Sequence, residues 1–170
     1  MSQPARQGRC YKQERALTCV VAALRTVLSY QFAVRVTEPA LEILGNDPEF
    51  PIRAYGTDAT QLRRMVKGAC RALNPAQQPW TLRIYRYGAI AELGAHCAAG
   101  RYPIVRMHDP VDHVAYHVVV VLEVSAAGVL LWNPCPTTRA RPEWYAPADF
   151  EAWWSGDGQT TWYAVVGGGA

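Results

Sequence analysis

The hydrophobic pattern of this chain changes character after Pro75 and Pro79, and that change restricts the folds open to it. Up to about residue 73 apolar residues recur at helical spacing; beyond Trp80 most segments read as strands. Cys19 to Tyr30 reads CVVAALRTVLSY, with apolar residues at 20, 21, 24, 27 and 28. That spacing predicts a helix burying most of its surface, with Thr18 placed to cap it. A short helix fits 38–44, capped by Thr37, with Pro39 in its first turn and Gly45 after its end. Asn46-Asp47-Pro48 and Pro51 mark 46–57 as loop, and Asp58 precedes a third helix over 59–73. Past Pro75 and Pro79, WTLRIYRY (80–87) alternates apolar and basic residues, as a half-exposed strand does. A helix over 89–99 is expected to end at Gly100, followed by strands at 103–107, 115–124 and 129–133. A helix over 147–154 carrying Phe150, Trp153 and Trp154, and a strand at 161–166, complete the pattern. Helices first and strands later predict an α+β fold with a mostly antiparallel sheet, not an alternating parallel α/β fold.

Composition narrows the class further. The chain has 170 residues, half of them apolar and 18% charged, enough to bury a core and too apolar for a disordered tail. A single domain over 1–170 is expected, a helical lobe at about 11–75 and a sheet lobe at about 80–166 with a cleft between them. Five cysteines, at 10, 19, 70, 97 and 135, cannot all pair within one chain, and no C-x-x-C occurs. Reduced thiols are expected, not a disulfide framework, structural zinc or thioredoxin-like chemistry. Seventeen basic and fourteen acidic residues give a net charge of +3 without any basic block, which argues against a nucleic-acid partner. The polar N-terminus does not read as a secretory signal, and no apolar run approaches the roughly 20 residues of a membrane helix. No membrane insertion is expected.

Cys19 stands in the first turn of the most apolar helix. There the partial positive charge and open N–H groups of a helix start stabilise a thiolate and lower its pKa. On position alone it fits a buried core cysteine as well as a nucleophile. Gln13, six residues earlier, could aim its amide at the point faced by the Cys19 N–H, making an oxyanion hole. His117 opens the most hydrophobic strand, where a polar ring is either hydrogen-bonded within the core or functional. Asn133 ends the next strand. If Val124 pairs with Gly128, Asn133 stands opposite Val119, on the face of His117 and diagonally adjacent to it. A two-residue turn puts the two on opposite faces. The pairing therefore requires a three-residue loop or a bulge, and Gly128 suits either. His113 and His117 are four apart, a metal-binding spacing on a helix, but their surroundings are strand-like; no metal and no cofactor is expected.

Gln13, Cys19, His117 and Asn133 together resemble the papain-like cysteine peptidases. The text around them, Q-x5-C-V-V-A-A-L, G-T-D-A-T-Q-L, Y-P-I-V, H-V-V-V-V, V-L-L-W-N-P and P-A-D-F-E-A-W-W-S-G, resembles one bacterial branch, the double-glycine leader peptidases of bacteriocin processing. The resemblance spans about residues 11–156. It implies a papain-like fold, with the nucleophile helix of the helical lobe packed against the antiparallel sheet. It also implies Cys19 as nucleophile, His117 as general base, Asn133 as the orienting group and Gln13 as oxyanion donor. The branch usually has Asp in the orienting place, Asp before the cysteine and Gly after it; here these are Asn133, Thr18 and Val20. The implied reaction is hydrolysis of a peptide bond after a Gly-Gly site in a peptide or protein substrate. Trp132, Trp144 and Tyr145 are aromatic candidates for the narrow cleft wall such a site needs, and equally fit ordinary core or surface positions. The expected enzyme is a free-standing processing protease in the cytoplasm, or an interbacterial toxin exported without a signal peptide and matched by an immunity or inhibitory protein. An inactive peptide-binding module and an amidase or acyltransferase on the same scaffold are the alternatives. The closing Gly167-Gly168-Gly169-Ala170 reads as a flexible terminus, or as a product mimic able to occupy the chain's own cleft.

Overall fold

A computed structural model describes residues 8–74, 79–108, 116–155 and 162–168. His113, the polar first seven residues and the terminal Gly169-Ala170 lie outside them. Four helices come first: α1 (Cys19–Phe32), α2 (Glu38–Gly45), α3 (Ile52–Tyr55) and α4 (Ala59–Leu73). Then follow β1 (Thr81–Tyr85), α5 (Ile90–Ala98), β2 (Ile104–His108), β3 (Tyr116–Ser125), β4 (Gly128–Trp132), β5 (Glu143–Tyr145), α6 (Pro147–Ser155) and β6 (Tyr163–Gly167). The strands form one antiparallel sheet in the order β1-β6-β2-β3-β4-β5. The α+β reading and its antiparallel sheet hold. Two elements depart from the expected pattern. The single turn of α3 lies inside the expected loop, its last N–H bond running from Gly56 to Ile52. The three-residue β5 extends the sheet beyond β4. Both are too short to show a period.

Local chemistry explains the element ends. At α4, Asp58 Oδ1 accepts from the Gln61 N–H at 2.7 Å while Gln61 Oε1 accepts from the Asp58 N–H at 2.9 Å. This reciprocal box satisfies two otherwise orphaned donors. Thr37 caps α2 through its hydroxyl, which accepts from the Ala40 N–H.

The sheet is covered on both faces, which explains the unbroken VVVVL of β3. Val118, Val120 and Leu122 pack toward α1, in the core that also holds Leu24, Val27 and Leu28. Val119 and Val121 pack toward α5 and α6, against Leu93, Phe150 and Trp154. Each fully buried aliphatic side chain of this kind contributes about 1.5–3 kcal/mol. The apolar face of α1 thus fixes the helix against β3, with its N-terminus at the start of that strand.

Candidate active site

Cys19 opens α1 and is half-buried. Thr18 precedes it, yet makes no side-chain cap. Its hydroxyl lies 2.8 Å from the Arg15 carbonyl and also reaches the Glu38 carboxylate. The expected cap is therefore absent because acceptors behind the helix take the hydroxyl. The N–H groups of Cys19, Val20 and Val118 point at the Cys19 sulfur and favour its thiolate, but burial outweighs them and Cys135 adds to it. The thiol is held above its ordinary value. The lowering expected at a helix N-terminus is thus reversed by desolvation, and ionisation of Cys19 needs a base.

The His117 ring has a defined tautomer. His117 is 8% exposed, and its Nε2 lies 2.7 Å from Asn133 Oδ1. The same oxygen accepts from the Cys135 N–H at 2.9 Å, which fixes the amide with oxygen toward the ring. An oxygen there requires Nε2–H on His117, which makes Nδ1 the basic nitrogen. Because Val118 directs its N–H at the Cys19 sulfur, the thiol lies against the backbone of the residue after His117.

A β-bulge makes this geometry possible. The turn between β3 and β4 is the two-residue kind, with Ser125 opposite Gly128 and Val124 opposite Val129. Continued regularly, that register sends Asn133 and His117 to opposite faces. Between Glu123↔Leu130 and Val121↔Leu131 the ladder slips by one residue, leaving Leu122 extra. Trp132 then faces Val120, and Asn133 follows opposite Val119 on the His117 face. The required irregularity exists in mid-strand, not at the turn.

Gln13 is anchored by its backbone N–H to the Pro134 carbonyl at 2.9 Å, beside Asn133. Its amide Nε2 donates to the Arg15 carbonyl at 3.0 Å, and its Oε1 is buried without a hydrogen-bond partner. In this state the amide is aimed at its own loop. That loop, 13–18, is clamped by α2. The Glu38 carboxylate accepts from the Glu14 N–H at 3.0 and 3.2 Å, while Glu42 binds Arg15 at 2.6 Å and Arg53 at 2.7 Å. Leu17, with φ 64°, carries the loop into Thr18 through a left-handed conformation that a side chain resists.

Lys12, next to Gln13, ties the loop to the strand end. Its ammonium donates to the Asn133 carbonyl at 3.0 Å, the Cys135 carbonyl at 2.7 Å, and Thr138 Oγ1 at 2.6 Å, and lies over the Trp132 ring. The sequence reading missed Lys12. It also missed Glu38 and Glu42, although two acids four apart in the otherwise apolar α2 were a visible signal.

A cleft of about 390 Å³ opens at Cys19. Leu17, Val20 and residues 56–59 line its helical side; Arg106, Tyr116, Val118 and Trp162 line its sheet side. Trp132, Trp144 and Tyr145 are not among the residues lining it. Trp132 is buried and donates its Nε1–H to the Tyr11 carbonyl at 2.9 Å. Trp144 and Tyr145 sit on β5 at the sheet edge, Tyr145 edge-on to Trp153. The aromatic wall of the cleft comes instead from Tyr116 and Trp162. Gly167 pairs with Thr81 and Gly168 lies beside Phe32, at the end of α1 opposite Cys19. Fourteen helical residues separate those ends by roughly 20 Å, so the described glycines of the tail stand away from the cleft. Among the described residues, no group of three His, Cys, Asp or Glu could hold a metal ion, and no helix is long and apolar enough to cross a membrane.

No protein-family model matches the chain, and no curated protein matches it in sequence. Solved structures do match in fold. The peptidase domain of Streptococcus ComA, a bi-functional ABC transporter of a quorum-sensing pathway, superposes with a TM-score of 0.66 at 15% identity, covering 96% of this chain and 100% of that one. A double glycine motif protease from an AMS/PCAT transporter, solved in complex with the leader peptide, gives a TM-score of 0.63 at 15% identity, covering 99% and 100%. A Bacillus anthracis protein described as a C39-like peptidase gives 0.67 at 14% identity, covering 96% of each chain. The fold is thus the papain-like α+β fold of these peptidase domains.

Proposed function

We propose that the chain is a cysteine peptidase that cuts after a Gly-Gly type site. The observation that supports the reading is the His117–Asn133 hydrogen bond, one residue before Val118, which lines the Cys19 cleft, on a fold shared with peptidase domains. In the proposed reaction His117 Nδ1 takes the Cys19 proton, and the thiolate attacks the scissile carbonyl carbon. The Cys19 N–H faces the resulting oxyanion, and Gln13 joins it once its amide leaves the Arg15 carbonyl. The buried, unpartnered Oε1 lowers the cost of that rotation. The His117 imidazolium protonates the leaving amine as the C–N bond breaks, giving a thioester. His117 then deprotonates a water that attacks the thioester, and the thiol returns. Incubation with a library of Gly-Gly peptides, read by mass spectrometry, tests the reading. Cleavage after Gly-Gly that disappears in Cys19→Ser supports it; an intact library refutes it.

A second reading, a peptide-binding module without turnover, is favoured by one observation: the Gln13 amide is committed to the Arg15 carbonyl. Iodoacetamide labelling at neutral pH separates the two. Selective labelling of Cys19 that is lost in His117→Ala supports the enzyme, and labelling no faster than that of Cys135 supports the module.

A further inference from the structure

We infer that Arg106 and Tyr116 form a subsite for a carboxylate of the peptide, an aspartate or glutamate side chain close to the bond that is cut. The inference rests on the peptidase reading only in taking a peptide as the occupant. Arg106 on β2 is paired directly across from Val118 on β3, and Val118 is the residue whose N–H faces the Cys19 sulfur. Residues opposite each other on neighbouring strands share a face, so Arg106 stands on the Cys19 side of the sheet. Both Arg106 and Tyr116 line the cleft that holds the thiol.

The guanidinium carbon lies 3.4 Å from the centroid of the Tyr116 ring. A guanidinium stacked on an aromatic face is held in orientation, while its N–H donors project from its edges in a fork that matches a carboxylate. The His108 ring also packs against Tyr116, at 4.8 Å between centroids, so the platform is itself supported. No carboxylate lies within ion-pair range of Arg106 among the described residues. Among the described residues lining the cleft, the other charged one is Asp58, whose Oδ1 caps α4. Among the described residues the cleft therefore presents an ordered guanidinium to which no carboxylate is paired, beside the Cys19 thiol. A strand-like peptide advances roughly 3.3 Å per residue, so a substrate with its scissile carbonyl at Cys19 brings a side chain one to three residues away over Arg106.

The test reads binding separately from hydrolysis. Two pools of ten-residue peptides centred on Gly-Gly, one carrying Glu and the other Gln at the flanking positions, are titrated against Cys19→Ser protein. The subsite predicts that the Glu pool binds about ten-fold more tightly at low salt, with an advantage that shrinks as salt screens the charge. It also predicts that Arg106→Gln abolishes the difference and that Arg106→Lys, charged but poorly stacked, retains part of it. Equal binding of the two pools to the parent protein overturns the subsite, as does a Glu preference that survives in a folded Arg106→Gln protein. Salt dependence in the parent alone decides the matter if that variant does not fold. Hydrolysis by the Cys19 protein is measured in parallel: cutting without acidic preference removes the subsite alone, and acidic preference without cutting removes the peptidase reading alone.

Discussion

Replacing Asn133 with Ala isolates the contact that sets the tautomer of His117, the base of the proposed reaction. In the native arrangement Oδ1 accepts from His117 Nε2 at 2.7 Å and from the Cys135 N–H at 2.9 Å, and the imidazole is only 8% exposed. Truncation leaves a buried ring donor without that partner, at a cost of about 1–3 kcal/mol. If this cost falls on the reactive ring orientation, the rate at which Cys19 is activated drops about 5- to 150-fold. The assay is iodoacetamide alkylation of Cys19 between pH 6 and 9, resolved by peptide mapping. Cys97 provides the internal reference, since burial pushes its thiol up to about 12 and keeps it protonated throughout. Asn133→Asp restores both acceptors, so it should recover most of the rate; its negative charge also stabilises the imidazolium and moves the pH profile upward. Wild-type labelling of the Ala variant would refute the reasoning. So would a loss that Asp fails to restore while the urea midpoint stays constant, because a specific orienting hydrogen bond predicts rescue and general loosening does not.

Three further outcomes follow from the same contacts. Leu17→Gly relieves the positive φ, worth roughly 1–2 kcal/mol, against a glycine entropy penalty of 0.5–1. Since Leu17 is 48% exposed, the net should be a gain of about 0.5–1 kcal/mol in urea unfolding, and a loss would show the conformation to be unstrained. Lys12→Met removes the donor to the Asn133 and Cys135 carbonyls, so stability should fall by about 1–2 kcal/mol and Cys19 labelling should slow; unchanged values for both would make the ammonium a bystander. Burial holds the Glu38 carboxyl above its ordinary 4.5. A raised folded pKa contributes stability that is full below the unfolded pKa and is lost as pH rises through the folded value. The stability of the parent relative to Glu38→Gln should therefore improve as pH falls toward 4.5, and a difference that moves the other way would mean that Arg25 and the Glu14 N–H outweigh burial.

What the sequence determined by itself was local or periodic. The change from helical to alternating spacing located the helices and the principal strands, because side-chain burial on a regular element repeats at the period of that element. Asp58 announced the start of α4, because an N-cap stands directly before the helix it begins, whereas the reciprocal bond from Gln61 came from the structure. Hairpin arithmetic even showed that His117 and Asn133 needed one extra residue between them to share a face. Where that residue would sit was decided by tertiary structure: the ladder slips at Leu122, inside β3, where packing on both faces of the sheet selects the register. The same holds for the rest of the candidate site. Thr18 leaves its cap role for the Arg15 carbonyl and the buried Glu38, Lys12 finds the carbonyls of Asn133 and Cys135, and burial reverses the direction in which a helix start moves the Cys19 thiol. Hydrogen bonds between groups more than a hundred residues apart, and the desolvation of a single thiol, leave no periodic trace in a chain; they exist only once the core has brought its distant parts together.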